Sequence, residues 1–417
     1  MPQTGGIARR RSVPDQRVRD FLRAVDEGLG SPTGFDTIRR PALLQSANRL
    51  QILPNKEPRS VTPSTESDVN AILSQAVLPG LTQPLERVST LETGDGAVTV
   101  RLGFPAKGAE AGYRDHLSGL LKAAGHTADI RFNTDVVAHG VQTSLKPLPG
   151  IRNVIAVASG KGGVGKSTVS VNLALALAAD GARVGLLDAD IYGPSQPHMV
   201  GLVGEQPDSI DGKTMDPIDA KGLQVMSIGF LVDPDKPMVW RGPMVTSALN
   251  QMLRQTNWDD LDYLVVDMPP GTGDIQLTLA QQIPVAGSVI VTTPQDISLI
   301  DARKGLAMFR KVSIPVLGVI ENMSTHICSN CGHEEAVFGS GGGERMADEY
   351  SVELLGQLPL DASIREQTDS GNPTVAAAPD SPQAGAYFDA ARRLSSALAA
   401  QGRDYSARFP NIVVEES

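Results

Sequence analysis

Cysteine is nearly missing from this 417-residue chain, which has only Cys328 and Cys331. A disulfide framework of the kind that staples small secreted domains is therefore excluded. Aromatic residues make up 4% of the sequence. No apolar run approaches the roughly 18 residues that a membrane-spanning helix needs, so no membrane partner is expected. Positive charge is also scarce: 37 Lys and Arg face 47 Asp and Glu, a formal net charge of −10. That balance disfavours nucleic acid as a partner over the surface as a whole. The amino terminus lacks a hydrophobic export region, because Arg9-Arg10-Arg11 runs into the polar Ser12-Val13-Pro14-Asp15. The expected compartment is the cytoplasm.

Glycine, by contrast, is abundant and concentrated where it matters. Residues 158–168 read Ala-Ser-Gly-Lys-Gly-Gly-Val-Gly-Lys-Ser-Thr, between the apolar run 154–157 and a helical pattern from Val169 to Ala178. A strand, a glycine-rich turn and a helix in that order form a phosphate-binding loop. Gly160, Gly162, Gly163 and Gly165, with Val164 between them, let backbone N–H groups converge on phosphate oxygens, and the helix adds its positive dipole end. Lys166 then reaches the β- and γ-phosphates, the Ser167 hydroxyl ligates Mg2+, and Thr168 completes the loop. Lys161 has no task on its own phosphates. It is expected to serve a nucleotide held by a facing copy of the chain, which makes it, with Lys166, a candidate catalytic cation.

The order of elements predicts an α/β protein with three regions. Residues 1–66 carry eleven Lys or Arg against six Asp or Glu in their first 60, with one short helical pattern at 16–25, and are expected to be a disordered tail. Residues 67–145 read as a small α+β domain, with helices near 68–77 and 113–124 and strands near 98–102 and 128–132. A Pro- and Gly-containing linker follows. From 152 to 403, β-branched apolar runs at 153–158, 183–188, 262–267, 287–293, 316–321 and 353–356 alternate with helical patterns, which predicts a doubly wound, mostly parallel sheet. Residues 404–417 are a polar tail.

In such sheets ligands bind at the carboxyl ends of the strands, and the remaining motifs fall there. Asp188 and Asp190 end one strand on the same side; Asp188 is expected in the Mg2+ shell and Asp190 to orient or activate the attacking water. Asp267 follows four apolar residues and is expected to hold Mg2+ through a water, while the Pro-Gly-rich segment behind it responds to the γ-phosphate. Asp274 suits the cap of a helix starting at Ile275. Asn322 offers a donor and an acceptor that match adenine N6 and N7. Trp240 and Arg241 are candidates for contact with a partner copy, and the run Gly339–Gly343 reads as a hinge.

Cys328 and Cys331 are spaced to meet one metal centre, but two thiolates do not complete a tetrahedral site. His326 and His333 could join them around zinc, the thiols could form a redox pair, or a second chain could supply two more cysteines. The last suits the facing dimer that Lys161 implies, and four thiolates suit a [4Fe-4S] cluster.

The loop K-G-G-V-G-K-S-T resembles the deviant Walker A family of nucleotide-sandwich dimers. Together with D-A-D-I-Y-G-P-S, W-R-G-P-M, D-M-P-P-G-T-G-D, T-T-P-Q-D, E-N-M-S and C-S-N-C, it resembles the Mrp/ApbC family of iron–sulfur cluster carrier ATPases over residues 151 to about 380. The resemblance implies a homodimer that binds ATP through residues 161–168 and hydrolyses it slowly. It also implies a labile [4Fe-4S] cluster held across the interface at Cys328 and Cys331 and passed from assembly scaffolds to apo-proteins. The small domain is similar to an iron–sulfur assembly domain often fused ahead of such ATPases. It has no cysteine, so a docking or regulatory role is expected. Two rivals share parts of the pattern: a partitioning or positioning ATPase, against which stands the acidic end at 410–417, and a zinc-stabilised nucleotide-binding regulatory module.

Overall fold

The structure is a computed structural model and describes residues 63–402 except 95, 144, 210–212, 232–241 and 329. The basic tail up to residue 62, Trp240, Arg241 and the polar end from 403 lie outside the described residues.

The first elements are helix α1 (Pro63–Gln75), strands β1 (Ser89–Gly94) and β2 (Ala97–Leu102), helix α2 (Glu110–Ala123) and strand β3 (Asp129–Thr134). Strand β2 alternates Val98, Val100 and Leu102 inward with polar residues outward, the period-two pattern of a sheet with one covered face. It pairs antiparallel with β1 and parallel with β3. Leu117 and Leu121 of α2 and Leu73 of α1 close over that face.

Strand β4 (Ile151–Ser159) opens an eight-stranded sheet. Its other members are β5 (Val184–Asp188), β6 (Ile218–Ala220), β7 (Leu223–Ser227), β8 (Leu261–Asp267), β9 (Gly287–Thr292), β10 (Val316–Glu321) and β13 (Glu353–Gln357). The order is β13-β10-β9-β4-β8-β5-β7-β6, parallel throughout except for β6 against β7. This is the doubly wound architecture expected from the six apolar runs. Strands β8 and β9 are buried at every position, as strands covered on both faces must be. Strands β6 and β7 were not expected. They are short and carry Asp219 and Gln224, which mask the apolar signal at the sheet edge.

The helices are α3 (Lys166–Ala179), α4 (Gly242–Arg254), α5 (Asp274–Gln282), α6 (Asp296–Lys311), α7 (Gly342–Tyr350), α8 (Ala362–Asp369) and α9 (Pro382–Ala399). Helix α3 is buried almost all round, between the sheet and α9, so it has no polar face. Helix α5 starts at Asp274 itself, with Gly273 at its cap position, so Asp274 contributes its charge to the first turn and does not cap. The run Gly339–Gly343 does not form a hinge along its length: Gly342 and Gly343 open α7, where Glu321 accepts a hydrogen bond from the Gly343 N–H.

Two sets of bonds join the segments around the first sheet to the elements of the second. Asp180, at the end of α3, receives Arg392 of α9 through Nε at 2.7 Å and the Gly108 N–H at 2.8 Å. Arg393 Nε donates to the Gly80 carbonyl at 2.7 Å, and Thr82 Oγ1 donates to Glu353 at 2.9 Å. The last turn of α9 also places Ala399 among the apolar residues under β1–β3.

Candidate functional site

The loop between β4 and α3 is shaped by two close approaches. Gly160 passes α6 so tightly that a Cβ there would lie 2.1 Å from the backbone of Asp301. Gly165 has φ +81° and ends the loop at the start of α3; a Cβ there would lie 2.3 Å from Asn322 Nδ2. No other residue type fits either place.

The loop rims a cavity of about 220 Å3, lined by Lys161, Gly162, Gly163, Lys166, Ser167 and Thr168 with Asp190 and Pro270 opposite. Lys166 is only 6% exposed and its Nζ lies 2.6 Å from Asp267 Oδ1. The same nitrogen stands 3.2 Å from the Ser167 hydroxyl. Asp267 is fully buried, and its oxygens also accept from Ser170 Oγ at 2.9 Å and Gln196 Nε2 at 2.9 Å. Lys161 is half-buried on the rim, and its carbonyl accepts from the Ser159 hydroxyl.

Beside Asp267 lies Asp188, buried at the end of β5, the strand paired with β8. Its oxygens accept from the N–H groups of Asp190 and Gln196 and from Ser227 Oγ. Burial, reinforced by the like charge of Asp267, pushes its carboxyl up to about 7. The half-buried Asp190 carboxyl is also raised, chiefly by burial, against the pull of Lys166. A surplus of negative charge at two strand ends, next to a hydroxyl and a phosphate loop, fits a divalent cation.

The last predicted nucleotide residue sits elsewhere than at an open base pocket. Asn322 is 6% exposed and its Nδ2 donates to the carbonyl of Val164 at 2.9 Å. Its donor is thus used by the loop, and the side chain braces the phosphate cradle.

Cys328 and Cys331 lie at the tip of a hairpin formed by β11 (His326–Ile327) and β12 (Glu334–Glu335), paired antiparallel. Cys328 N–H donates to the His333 carbonyl at 2.9 Å, and Gly332, at φ +71°, donates its N–H to the Cys328 carbonyl at 2.8 Å. Backbone N–H groups of Cys331 and Asn330 point at the Cys328 sulfur and hold its thiol below the ordinary value, with the Cys331 thiol adding to them. Cys331 is exposed. Among the described residues, no group of three or more His, Cys, Asp and Glu side chains could hold a metal ion. The imidazole Nδ1 of His326 is turned to the Leu360 carbonyl at 2.9 Å.

Residues 150–395 match the ParA family model, described as NUBPL iron-transfer P-loop NTPase. The chain belongs to this family. Membership makes nucleoside triphosphate hydrolysis its class of activity. A curated iron-sulfur cluster carrier protein of Haemophilus influenzae is 51% identical over 354 residues, covering 82% of this chain and 95% of that protein. The iron-sulfur cluster transfer protein NUBPL of Mus musculus is 52% identical over 269 residues, covering 63% and 84%. Among solved structures, a nucleotide-binding protein of Archaeoglobus fulgidus in complex with ADP is 37% identical, with a TM-score of 0.50, and covers 57% of this chain and 93% of that one.

Sequence reading of this iron-transfer NTPase missed Gln196 and Ser227. Gln196 is fully buried and ties three motifs together: its side chain reaches Asp267 and the Ser167 carbonyl, and its N–H reaches Asp188. Its one available signal is position, six residues after Asp190 at the start of a single helical turn, Gln196–Met199. Ser227 ends β7, a strand that was itself not expected.

Proposed function

We propose that the chain is an ATP-dependent carrier of iron–sulfur clusters that works as a homodimer. Each copy contributes Cys328 and Cys331 to a labile [4Fe-4S] cluster held between the two, and the cluster passes from assembly scaffolds to apo-proteins. ATP is hydrolysed slowly, in step with loading or release. Its setting is the cytoplasm, where thiols stay reduced. Among the described residues no helix is long and apolar enough to cross a membrane.

The observation that carries this reading is the cysteine hairpin. Two thiols on an exposed tip, one with its thiolate favoured by backbone N–H groups, form half of a four-thiolate set. A second copy supplies the other half without any further ligand. At the nucleotide, Lys166 and the loop N–H groups bind phosphate, Lys161 serves the facing copy's nucleotide, and Asp190 orients the attacking water from its half-buried place across the cavity. When bound, Mg2+ would be held by the Ser167 hydroxyl with Asp267 and Asp188 behind it, and would offset the charge of the triphosphate.

Anaerobic reconstitution with iron and sulfide tests the proposal. The wild-type protein is expected to gain broad visible absorption and a Mössbauer signature of a [4Fe-4S] centre, and Cys328→Ala and Cys331→Ala to lose both. Stoichiometric zinc in freshly purified protein, with no cluster formed on reconstitution, contradicts it and favours the regulatory module.

A further inference from the structure

Between the phosphate loop and the cysteine hairpin runs one short piece of chain. Asn322 and Cys328 are six positions apart, and each end of the piece is tied down by contacts of a different kind. At the near end, Asn322 Nδ2 donates to the Val164 carbonyl, and the Asn322 N–H donates to the Thr292 carbonyl at 2.8 Å. Next comes Met323 at φ +57°, a left-handed conformation that residues other than glycine rarely adopt. Its Cε lies 3.7 Å from the place a Cβ on Gly165 would occupy, so it too leans on the loop. Beyond it the chain is stapled to the segment after β13. The Ser324 N–H and hydroxyl both donate to the Leu358 carbonyl, the Leu360 N–H donates to Thr325, and His326 Nδ1 faces the Leu360 carbonyl. The hairpin follows directly.

We infer that Asn322 and Met323 couple the phosphate loop to the cysteine hairpin within one chain, so that nucleotide at the loop sets the presentation of Cys328 and Cys331. Val164 lies between Gly163 and Gly165, both at positive φ. Phosphate that draws the neighbouring N–H groups inward rotates the Val164 peptide, and its carbonyl turns with it. The Asn322 amide follows that carbonyl, because a buried donor left without an acceptor is costly. Met323 is held in one narrow backbone well and passes the rotation on as a tilt about the staples at Leu358 and Leu360. Asn322 is thus a positioning residue, acting on the cysteines through the backbone. The inference rests on the proposed role of the cysteines for its meaning, but its test does not require a cluster.

The test measures how fast iodoacetamide modifies Cys328 and Cys331 in the full-length, iron-free protein, with and without Mg2+ and a non-hydrolysable ATP analogue. Analogue concentrations are set to saturation by displacement of a fluorescent nucleotide. Protein concentrations are set by light scattering to a common dimer fraction. In the wild type the analogue is expected to change the rate at one or both cysteines by about fivefold or more, the lower end of ordinary coupling between sites. Asn322→Ala, saturated with analogue, is expected to lose that change. Met323→Gly is expected to reduce it, because glycine occupies φ +57° without being confined there. A wild-type protein with no response, or an Asn322→Ala protein with the full response at saturation, overturns the inference. If Asn322→Ala does not fold or saturate, Met323→Gly decides alone, and a full response there also overturns it. Failure to build a cluster on reconstitution would strike the carrier reading and leave this result standing.

Discussion

Lys166 and Asp267 form a buried pair beside the loop, and a buried pair is costly to break from one side. Asp267→Asn leaves the Lys166 ammonium without its partner at 6% exposure. It is expected to cost about 3 to 5 kcal/mol in urea unfolding. Asp188 gives the molecule a pH signature. Its folded pKa is raised from 3.8 to about 7, so the folded state holds the proton more tightly than the unfolded one. That contribution to stability is full below the unfolded value and drains as pH rises through the folded one. Denaturation midpoints measured across this window are expected to fall with pH, and Asp188→Asn to flatten the slope. At the residue scale the sequence singles out some groups and leaves others hidden. Lys166, Ser167 and Asp267 announce themselves because phosphate chemistry demands their types at fixed spacing. Asn322 does not, because an amide suits an adenine and a carbonyl equally well. Only the 2.9 Å approach to Val164 separates them.

At the scale of elements, α3 runs from Lys166 in the phosphate loop to Ala179, and Asp180 just past its end accepts from the N–H groups of Lys107 and Gly108 ahead of α2. Asp180 is nearly buried and receives a bidentate Arg392, itself mostly buried, together with the Gly108 N–H. Asp180→Ala is expected to cost about 3 kcal/mol, because it leaves the mostly buried Arg392 guanidinium with only the exposed Asp389 as an anionic partner. Hydrogen exchange in β1–β3 should rise more than exchange in β4 and β8, since Asp180 is one of the ties between the two sheets. Equal protection in both sheets would contradict this. Among the six legible strands, β5, β8 and β9 are buried at every position, where continuous apolar runs leave no other reading, whereas β13 lies at an edge, is only partly buried, and was legible from Leu354 and Leu355. Strand β6 is a three-residue edge strand with partial burial, and β7 beside it is mostly buried but is interrupted by Gln224, so packing rather than pattern decides both. The start of α7 was hidden for another reason: its glycines suggest mobility, and only the buried Glu321 carboxylate from β10 reveals a cap.

For the whole molecule, the formal charge of −10 and the cysteine hairpin with its exposed Cys331 suit the proposed dimeric carrier. On the proposed reading, a [4Fe-4S] cluster takes its four thiols from two chains, and Lys161 serves the nucleotide of the facing copy. Native mass spectrometry of anaerobically reconstituted protein, carried out with ATP present, tests this most directly. A dimer holding about four irons and four sulfides per two chains is expected, and Cys328→Ala is expected to leave a metal-free species. A monomer that keeps its metal, with ATP bound, would contradict it.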